Sequence, residues 1–437
     1  MSQSIEFLLP ASSLDTAFDG PQLTSDGGLC WLSEADTALG LCASLAACIP
    51  EWRSGPVHHS LETLVRQRVF QIACGYEDQD DADTLRFDPL LKLVCGRLPH
   101  EADLASQPTL SRLENAVDRK DCSGLAVALV RLYLQERERD GIPEHIVLDF
   151  DGTDDPAHGR QEGVAYHGYY HQHMYQPLLV FDGDTGQLIT AVLRPGTVHA
   201  SRGAVAVLTR LVRRIRARWP QVTIELRADS GFAVPALYDY CEDHHIGYTI
   251  GLATNDRLTA MATPLAAEAK QQRADSGEKV RLFDEGSYQA GTWQQERRVV
   301  SKAEAVDKGL NGRFVVTSRT DAPSDLYHWY TRRGDRPELC MKDLKEACFA
   351  DRLSCHRFWA NQFRLLLHSA AYWLLDTLRR WLARLHMPHL QLGTLRLRLI
   401  KIGGWVRQRL DQLSLHLASS HPGEPLWHLL AARSTAS

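Results

Sequence analysis

The stretch that decides the fold is IVLDFDGT, Ile146–Thr153, in which two aspartates two residues apart end an apolar run. Side chains i and i+2 of a strand point to the same face, so Asp149 and Asp151 can face one point. Two carboxylates at a strand end suit a hard cation, although Asp-Gly-Thr by itself is also common turn chemistry. The stretch therefore predicts a strand that ends in an acidic site or in a turn.

The chain that follows predicts the rest of a sheet. A second strand-like run, VTIELRA (Val222–Ala228), also ends in an aspartate, Asp229. Between the two acidic strand ends, Met174–Gly196 is typical of a β-hairpin around the turn DGDTG, and Ala204–Arg218 has the apolar spacing of a helix. The order strand, hairpin, helix, strand predicts a mixed α/β sheet.

The next segments continue this pattern and then change it. Pro235–His245 predicts a helix, and Gly247–Leu252 predicts another buried strand. Thr254–Ser318 begins with an Ala-, Gln- and Glu-rich connection and continues with short β-like runs, which predicts a β-rich insertion. A third acid, Glu338, opens a helical stretch whose Pro337 stands in the first turn, where a missing N–H is tolerated.

The three acids lie in patterns that resemble the DDE transposases of bacterial insertion sequences, in the IS4-like group and most closely the IS1380 family. The family's first aspartate lies in a strand that ends D-x-T, as Asp151 does, and its second follows a later strand, as Asp229 does. The third acid belongs to a Y-x2-R-x3-E-x6-K pattern, matched here by Tyr330, Arg333, Glu338 and Lys345. This chain has four residues instead of three between the arginine and the glutamate.

Further stretches carry the same resemblance over nearly the whole chain. They are QPTLSRLEN (Gln107–Asn115), LRPG (Leu193–Gly196), DRLSCHRFWANQFRLLLHSAAYWLL (Asp351–Leu375) and TLRLRLIKIG (Thr394–Gly403). The fold implied by the resemblance is α/β, a ribonuclease-H-like catalytic core with a β-rich insertion, plus helical N-terminal and C-terminal regions.

Five regions are predicted along the chain. They are a mostly helical region (1–140), the first part of the core (141–253), the β-rich insertion (254–318), the second part of the core with the glutamate helix (319–380) and a basic region (381–437). The resemblance implies that the first region binds DNA ends and that the last makes DNA or dimer contacts. The first region contains helical patterns at Leu61–Ala73 and Leu125–Arg139.

The resemblance implies metal-dependent cleavage of DNA at insertion-sequence ends and strand transfer into target DNA. Asp151, Asp229 and Glu338 would be the catalytic and metal-binding residues. Two Mg²⁺ ions about 4 Å apart can serve the attacking and leaving oxygens of such a reaction, and carboxylates are the ligands that Mg²⁺ prefers. Mn²⁺ is expected to substitute for Mg²⁺.

Three residues near the glutamate are implied to contact DNA phosphates: Tyr330, Arg333 and Lys345. For the two cations the alternative is an ordinary solvated helix face. Glu338 and Lys345 are seven residues apart, two helical turns, so a continuous helix would place them on one face.

Other residues have open roles. Asp149 could bind metal or only hydrogen-bond within the site. Trp293 could stack on a base extruded from the duplex, or pack in a core, and Trp329 carries the same ambiguity. His167, His171 and His173 offer either a zinc site or strand residues on a DNA-facing surface.

Charge is distributed unevenly along this chain of 437 residues, whose formal net charge is -5. The last hundred residues, from 338 onward, hold 14 Lys and Arg against 7 Asp and Glu, whereas Glu77–Asp88 is acidic. Nucleic-acid binding must therefore use local patches. The ten cysteines include no C-x2-C pair, which argues against a zinc finger or a disulfide framework.

Double-stranded DNA is the expected partner, both as terminal inverted repeats and as target, with a homodimer in the DNA complex. The start MSQSIEFLLPASSLD lacks a secretory signal, and no uncharged apolar run could span a bilayer. A cytoplasmic, nucleoid-associated protein without a membrane partner is expected. Two alternatives are a ribonuclease-H-like nuclease without strand transfer and an inactive DNA-binding derivative.

Overall fold

The computed structural model describes residues 5–8, 13–157, 159–168, 170–307, 309–334, 336–409 and 412–434. Two compact units share the chain. We call them the helical unit (1–116, 347–349 and 370–437) and the sheet unit (117–346 and 350–369).

The strands are β1 (Ile5–Leu8), β2 (Ser13–Thr16), β3 (Leu23–Thr24), β4 (His145–Gly152), β5 (Asp155–Pro156), β6 (Ala165–His167), β7 (Gln172–Tyr175), β8 (Leu178–Asp182), β9 (Leu188–Val192), β10 (Thr223–Ala228), β11 (Gly247–Leu252), β12 (Val280–Tyr288), β13 (Arg297–Val306), β14 (Gly309–Thr317), β15 (Gly404–Arg409) and β16 (Gln412–Leu417). The helices are α1 (Leu29–Leu39), α2 (Leu41–Ala46), α3 (Leu61–Cys74), α4 (Ala82–Leu85), α5 (Pro89–Val94), α6 (Gln107–Ala116), α7 (Arg119–Glu138), α8 (Ala204–Arg218), α9 (Pro235–Asp243), α10 (Asp256–Ser276), α11 (Pro323–Thr331), α12 (Arg336–Lys342), α13 (Phe358–Arg384), α14 (Leu392–Leu395) and α15 (Glu424–Ser434). Short 3₁₀ turns occupy Ser230–Phe232 and Arg332–Gly334, and π-helical turns occupy Asp343–Ala347 and Arg396–Ile400.

A large mixed sheet forms the sheet unit, with eight strands in the order β12-β13-β14-β11-β10-β4-β8-β9. Strand β10 runs parallel to β4 and to β11, and the other neighbours are antiparallel. The predicted hairpin is confirmed as β8–β9, and α8 follows it before β10, so the predicted order of elements holds. The residues of β4 from Ile146 to Phe150 are all buried, as expected for a central strand covered on both faces.

The helices predicted around β10 are also confirmed. Helix α8 buries the stripe Leu208, Leu211, Val212 and Ile215 and leaves most of its arginines outside that stripe. Helix α9 begins at Pro235, whose fixed φ suits a first helical turn, and β11 has the predicted bounds.

The predicted insertion at residues 254–318 needs correction in two respects. Its first part, expected to be an Ala-, Gln- and Glu-rich connection between strands, is the 21-residue helix α10, capped by the side chain of Asn255. Its strands are long and belong to the same eight-stranded sheet, because β14 pairs with β11. The Ala-, Gln- and Glu-rich composition is that of strong helix formers, and α10 packs Leu265 and Ala269 on Ala303 of β13.

The helical unit contains α1 to α6, α14, α15 and residues 370–384 of α13. Helix α3 confirms the pattern at Leu61–Ala73, and α7 confirms the pattern at Leu125–Arg139 but belongs to the sheet unit. The C-terminal region, expected to be helical, also forms the hairpin β15–β16, which pairs with β3. The alternation QLSLHL has the two-residue period of a strand, so the residues themselves explain this difference.

Among the helices in the described part of the chain, none is long and apolar enough to cross a membrane.

Candidate active site

Two of the predicted acids are brought together by the parallel pairing of β4 and β10. In this register Phe150 stands opposite Ala228, and the next residue on each strand is an aspartate, Asp151 and Asp229. The carboxyl ends of parallel strands meet at one edge of a sheet. The structure therefore places both aspartates at the same edge, which we call the acid edge.

The carboxyl group of Asp151 stands in an unusual electrostatic environment. Burial raises the pKa of Asp151 to about 7, and the nearby charges of Asp229, Asp149 and Glu338 act in the same direction. Arg333 opposes them, because its Nη2 lies 2.5 Å from Asp151 Oδ2. The acid edge thus concentrates more negative charge than one arginine neutralises, a condition that a bound cation would relieve.

Asp229 directly follows β10 and caps the 3₁₀ turn Ser230–Phe232. Its Oδ1 accepts a hydrogen bond of 2.8 Å from the backbone N–H of Gly231. A Cβ at Gly231 would lie 2.8 Å from the Cβ of Ala200, so this turn needs a glycine for the chain to pass so closely. The sequence Asp-Ser-Gly therefore serves to fix the orientation of the Asp229 carboxylate.

Glu338 lies in the first turn of the seven-residue helix α12, with its side chain exposed and its neighbour Pro337 buried. It lines a cleft of about 660 Å³ that is also lined by Gly152 and Thr153, the residues that follow Asp151. The third acid therefore faces the end of β4, and its charge contributes to the raised pKa of Asp151.

The three acids are not gathered around one point. Within the described ranges, no three His, Cys, Asp or Glu side chains stand close enough to hold a metal ion. The donor set nevertheless suits a hard divalent cation, since it consists of carboxylates whose mutual repulsion is visible at Asp151. Of the histidines considered for zinc, His167 lies against the ring of Tyr170 and His173 against the ring of Tyr166.

Asp149 is engaged by an internal partner. Its Oδ1 and Oδ2 accept hydrogen bonds of 2.7 Å each from Nε and Nη2 of Arg227, and both side chains are 2 % exposed. Nη1 of Arg227 donates to the backbone carbonyl of Trp329, 2.9 Å away. These contacts support the alternative in which Asp149 hydrogen-bonds within the site and does not bind metal.

Tyr330 and Arg333 both lie against the acid edge. The Tyr330 hydroxyl donates to the backbone carbonyl of Ala228 at 3.3 Å, and burial raises the pKa of this tyrosine. Arg333 belongs to the 3₁₀ turn Arg332–Gly334 and pairs with Asp151. The ion pair supports a role inside the site over the alternative of a solvated helix face for Arg333.

Lys345 connects the segment after α12 to the chain after β4. Its Nζ lies 2.9 Å from Asp154 Oδ1, 3.1 Å from the Asp154 carbonyl oxygen and 3.2 Å from Thr153 Oγ1. A π-helical turn, Asp343–Ala347, holds it, so the helix that begins before Glu338 does not continue with regular spacing. Glu338 and Lys345 nevertheless line the same cleft. Sequence reasoning missed Asp154, although its place in DGTDD was a signal.

The two tryptophans are held by other aromatic rings and by arginines. Trp293 is 6 % exposed, with its ring centroid 5.2 Å from that of Tyr238 and 5.4 Å from that of Tyr288. These contacts favour the core-packing alternative for Trp293. Trp329 has Arg227 4.9 Å and Arg319 4.2 Å from its ring centroid, contacts that the sequence did not indicate.

Comparison with known proteins identifies the family. A family model described as "Transposase DDE domain group 1" matches residues 8–435. The chain therefore belongs to this family of DDE transposases, enzymes that cleave DNA and transfer its strands. No curated protein matches the chain.

Two solved structures with low identity are similar over much of the chain. The piggyBac transposase synaptic complex with hairpin DNA has 14% identity and a TM-score of 0.43, over 86% of this chain and 80% of the other. The Mos1 transposase paired-end complex with the left transposon end has 12% identity and a TM-score of 0.19, over 70% of this chain and 83% of the other.

Proposed function

We propose that this transposase cleaves DNA at the ends of an insertion sequence and joins those ends to target DNA through Asp151, Asp229 and Glu338. The supporting observation is the pairing of β4 and β10, which sets two aspartates at one edge beside the cleft that Glu338 lines. A ribonuclease-H-like core is consistent with the five adjacent strands β9-β8-β4-β10-β11, three antiparallel and then two added in parallel. The IS1380 family is the proposed subgroup.

Asp151, Asp229 and Glu338 would hold Mg²⁺, for which Mn²⁺ would substitute. When bound, such ions activate the attacking oxygen and stabilise the leaving oxygen of a phosphodiester. The protein's own contribution is to hold the carboxylates in place. The Gly231 amide orients Asp229, and Arg333 orients Asp151.

The cations around the cleft would position DNA. Lys345 shares the cleft with Glu338 and is about one-fifth exposed, so its ammonium group could exchange Asp154 for a DNA phosphate. Tyr330 and Arg333 would act nearer the carboxylates, where Arg333 can neutralise either Asp151 or a phosphate. Asp149 and Trp293 would support the framework through Arg227 and the aromatic core.

The proposed partners are double-stranded DNA, as terminal inverted repeats and as target, and a second copy of the chain in the DNA complex. Such a protein would act at the nucleoid. These proposals rest on the family resemblance of the sequence.

The decisive experiment uses labelled DNA that carries the element's own ends and a supercoiled target. Wild-type protein should cut and join in Mg²⁺, whereas Asp151→Asn, Asp229→Asn and Glu338→Gln should bind the ends without cutting them. Glu278→Gln changes an exposed acid in the loop before β12 and serves as the matched control. Cutting without joining by the wild type would identify a nuclease instead, and activity in Glu338→Gln would refute the third ligand.

A further inference from the structure

Positive charge accumulates in one part of the sheet unit. From Thr185 to Ile224 the chain contains seven arginines and no aspartate or glutamate, although the protein as a whole carries a net charge of -5. Five of these arginines lie on α8, which has no acid of its own with which to form pairs along the helix. Helix α8 can therefore be neutralised only by another element or by an external anion.

Other elements neutralise only part of this charge. Arg218 pairs with Glu138 of α7, and Arg216 donates to the backbone carbonyl of His244. The remaining arginines of α8, together with Arg131 of α7, form a set that we call the arginine track: Arg131, Arg210, Arg213 and Arg214. In the part of the chain that the structure describes, none of the four forms a hydrogen bond or an ion pair.

The members of the arginine track are close enough to repel one another. Arg131, Arg210 and Arg213 are exposed, and Arg214 is half-buried. Partial burial, and then the positive charges of Arg131 and Arg213, lower the pKa of Arg214. Like charges held together without counter-ions cost free energy, which a polyanion would recover on binding.

Helix α8, which carries three members of the track, begins near the acid edge and leads away from it. Ala200, shortly before α8, lies within 4.0 Å of the Cβ positions of Gly152, which follows Asp151, and of Gly231, two residues after Asp229. From Ala204 to Arg214 the helix rises about 15 Å. The arginines thus lie on a path that DNA leaving the cleavage point could follow.

The surface beside the arginines of the track is concave and partly apolar. A hollow of about 260 Å³ lies between α7, β9 and α8, with an apolar floor that includes Val130, Val192 and Val207. Its lining contains three members of the track and no acid. A repeating anion matches this distribution of charge, since phosphate contacts position a duplex without reading its sequence. The lining also includes the hydroxyl side chains of Ser123 and Thr190.

We propose that the arginine track is a second DNA-binding surface, which holds backbone phosphates of the duplex beyond the cleavage point, independently of sequence. This inference rests on the proposed function only in taking DNA as the substrate. Guanidinium groups bind phosphate oxygens in pairs, and each phosphate neutralised releases counter-ions. The arginine track should therefore make the affinity of the protein for DNA depend on salt concentration.

The test measures binding of a labelled random-sequence 30-bp duplex in EDTA, as a function of salt concentration. The track variant is Arg131→Gln with Arg210→Gln and Arg213→Gln. The control is Arg257→Gln with Lys270→Gln and Arg313→Gln, which removes the same charge from exposed sites on α10 and β14. We expect the slope of log affinity against log salt to lose about 3 in the track variant, at about one per phosphate contact. Affinity should fall at least tenfold at moderate salt, with little change in the control.

The outcomes separate this inference from the proposed function. Equal losses in the two triple variants would show an effect of net charge and overturn the arginine track, as would an unchanged slope. Retained DNA affinity together with lost self-association would make this face a protein interface, which also overturns it. Absence of cleavage by the wild type, by contrast, would refute the proposed function without touching the binding result. Thermal unfolding of the variants checks that they fold.

Discussion

The acid edge and the helix that bears Glu338 position their carboxylates by different means. Asp151 and Asp229 follow buried, hydrogen-bonded strands whose parallel register fixes their relation. Glu338 lies on the short helix α12, where Pro337 and Cys340 are buried while Glu338 and Leu339 are exposed. A central sheet places a side chain through many backbone bonds, whereas a short helix depends on few contacts. Two acids of the site are therefore set by the sheet, and the third depends on tertiary packing.

The largest expected effect comes from breaking the acid edge itself. Asp151→Asn and Asp229→Asn should each reduce cleavage of end-bearing DNA by about a thousandfold or more, because each removes a charge that positions the reacting groups. Single-turnover assays with labelled ends measure this loss. Glu338→Gln should lose at least as much if the helix completes the same site.

Combining two of these substitutions tests whether the acid edge and the helix that bears Glu338 act as one unit. Residues that act as one unit give non-additive losses. The double variant Asp151→Asn with Glu338→Gln should therefore be no slower than the worse single variant. Additive losses would mean that the acid edge and the helix act independently, contrary to the proposed site.

The next largest effect concerns the support beneath the acid edge. Asp149→Asn leaves the buried Arg227 guanidinium without its anion, which should cost about 3–5 kcal/mol of stability in the sheet unit. Chemical unfolding measured by fluorescence gives the value. Glu138→Gln, which breaks the exposed pair with Arg218, is the control and should cost less than about 1 kcal/mol. Equal costs would show that the Asp149 pair is not a structural support.

A smaller effect is expected on the helix side. Lys345→Gln removes the ammonium group that would exchange Asp154 for a DNA phosphate, and it should slow cleavage about tenfold, since one such charged hydrogen bond is worth about 1.5 kcal/mol. Lys345→Arg should restore part of the rate by keeping the charge. Lys270→Gln, an exposed lysine of α10 that does not line the cleft, should change the rate little. An equal loss in Lys270→Gln would refute a specific role for Lys345.

The smallest expected effect is on the pH dependence of stability. It comes from His145, at the end of β4 opposite the acid edge. Asp184 and Glu225 raise the pKa of His145 from its ordinary value of 6.5 to about 9. Because the pKa of His145 is raised in the folded state, its contacts with Asp184 and Glu225 stabilise the fold fully below pH 6.5. This stabilisation disappears as the pH rises through about 9. Since the side chain is 37 % exposed, the gain should stay below about 1 kcal/mol. Comparing unfolding of His145→Gln and wild type at pH 6 and pH 10 measures it; the difference should vanish at pH 10.

Much of the sheet unit could be predicted from local pattern. The hairpin β8–β9, helices α8 and α9, and strand β11 follow from apolar periodicity and turn residues, which act over a few neighbours. Helix α10 does not follow from local pattern, because its sequence contains Pro264, a residue that disfavours helix interiors, and because its buried face is narrow. Periodicity also did not show that β12–β14 extend the main sheet, since strand pairing is a long-range choice.

The sequence by itself determined which acids are available and that two of them stand at the ends of strands, because strand periodicity and chain order are local properties. Only the tertiary structure decided how those acids are used. Asp149 and Asp151 share a strand and a face, yet one is enclosed by Arg227 and the other by Arg333, which come from distant parts of the chain. Arg210 and Arg213 of α8 resemble an ordinary polar helix face in the sequence, but in the part of the chain that the structure describes no other element supplies them with an anion. Which charges remain to act on a ligand depends on long-range packing, and no local pattern records it.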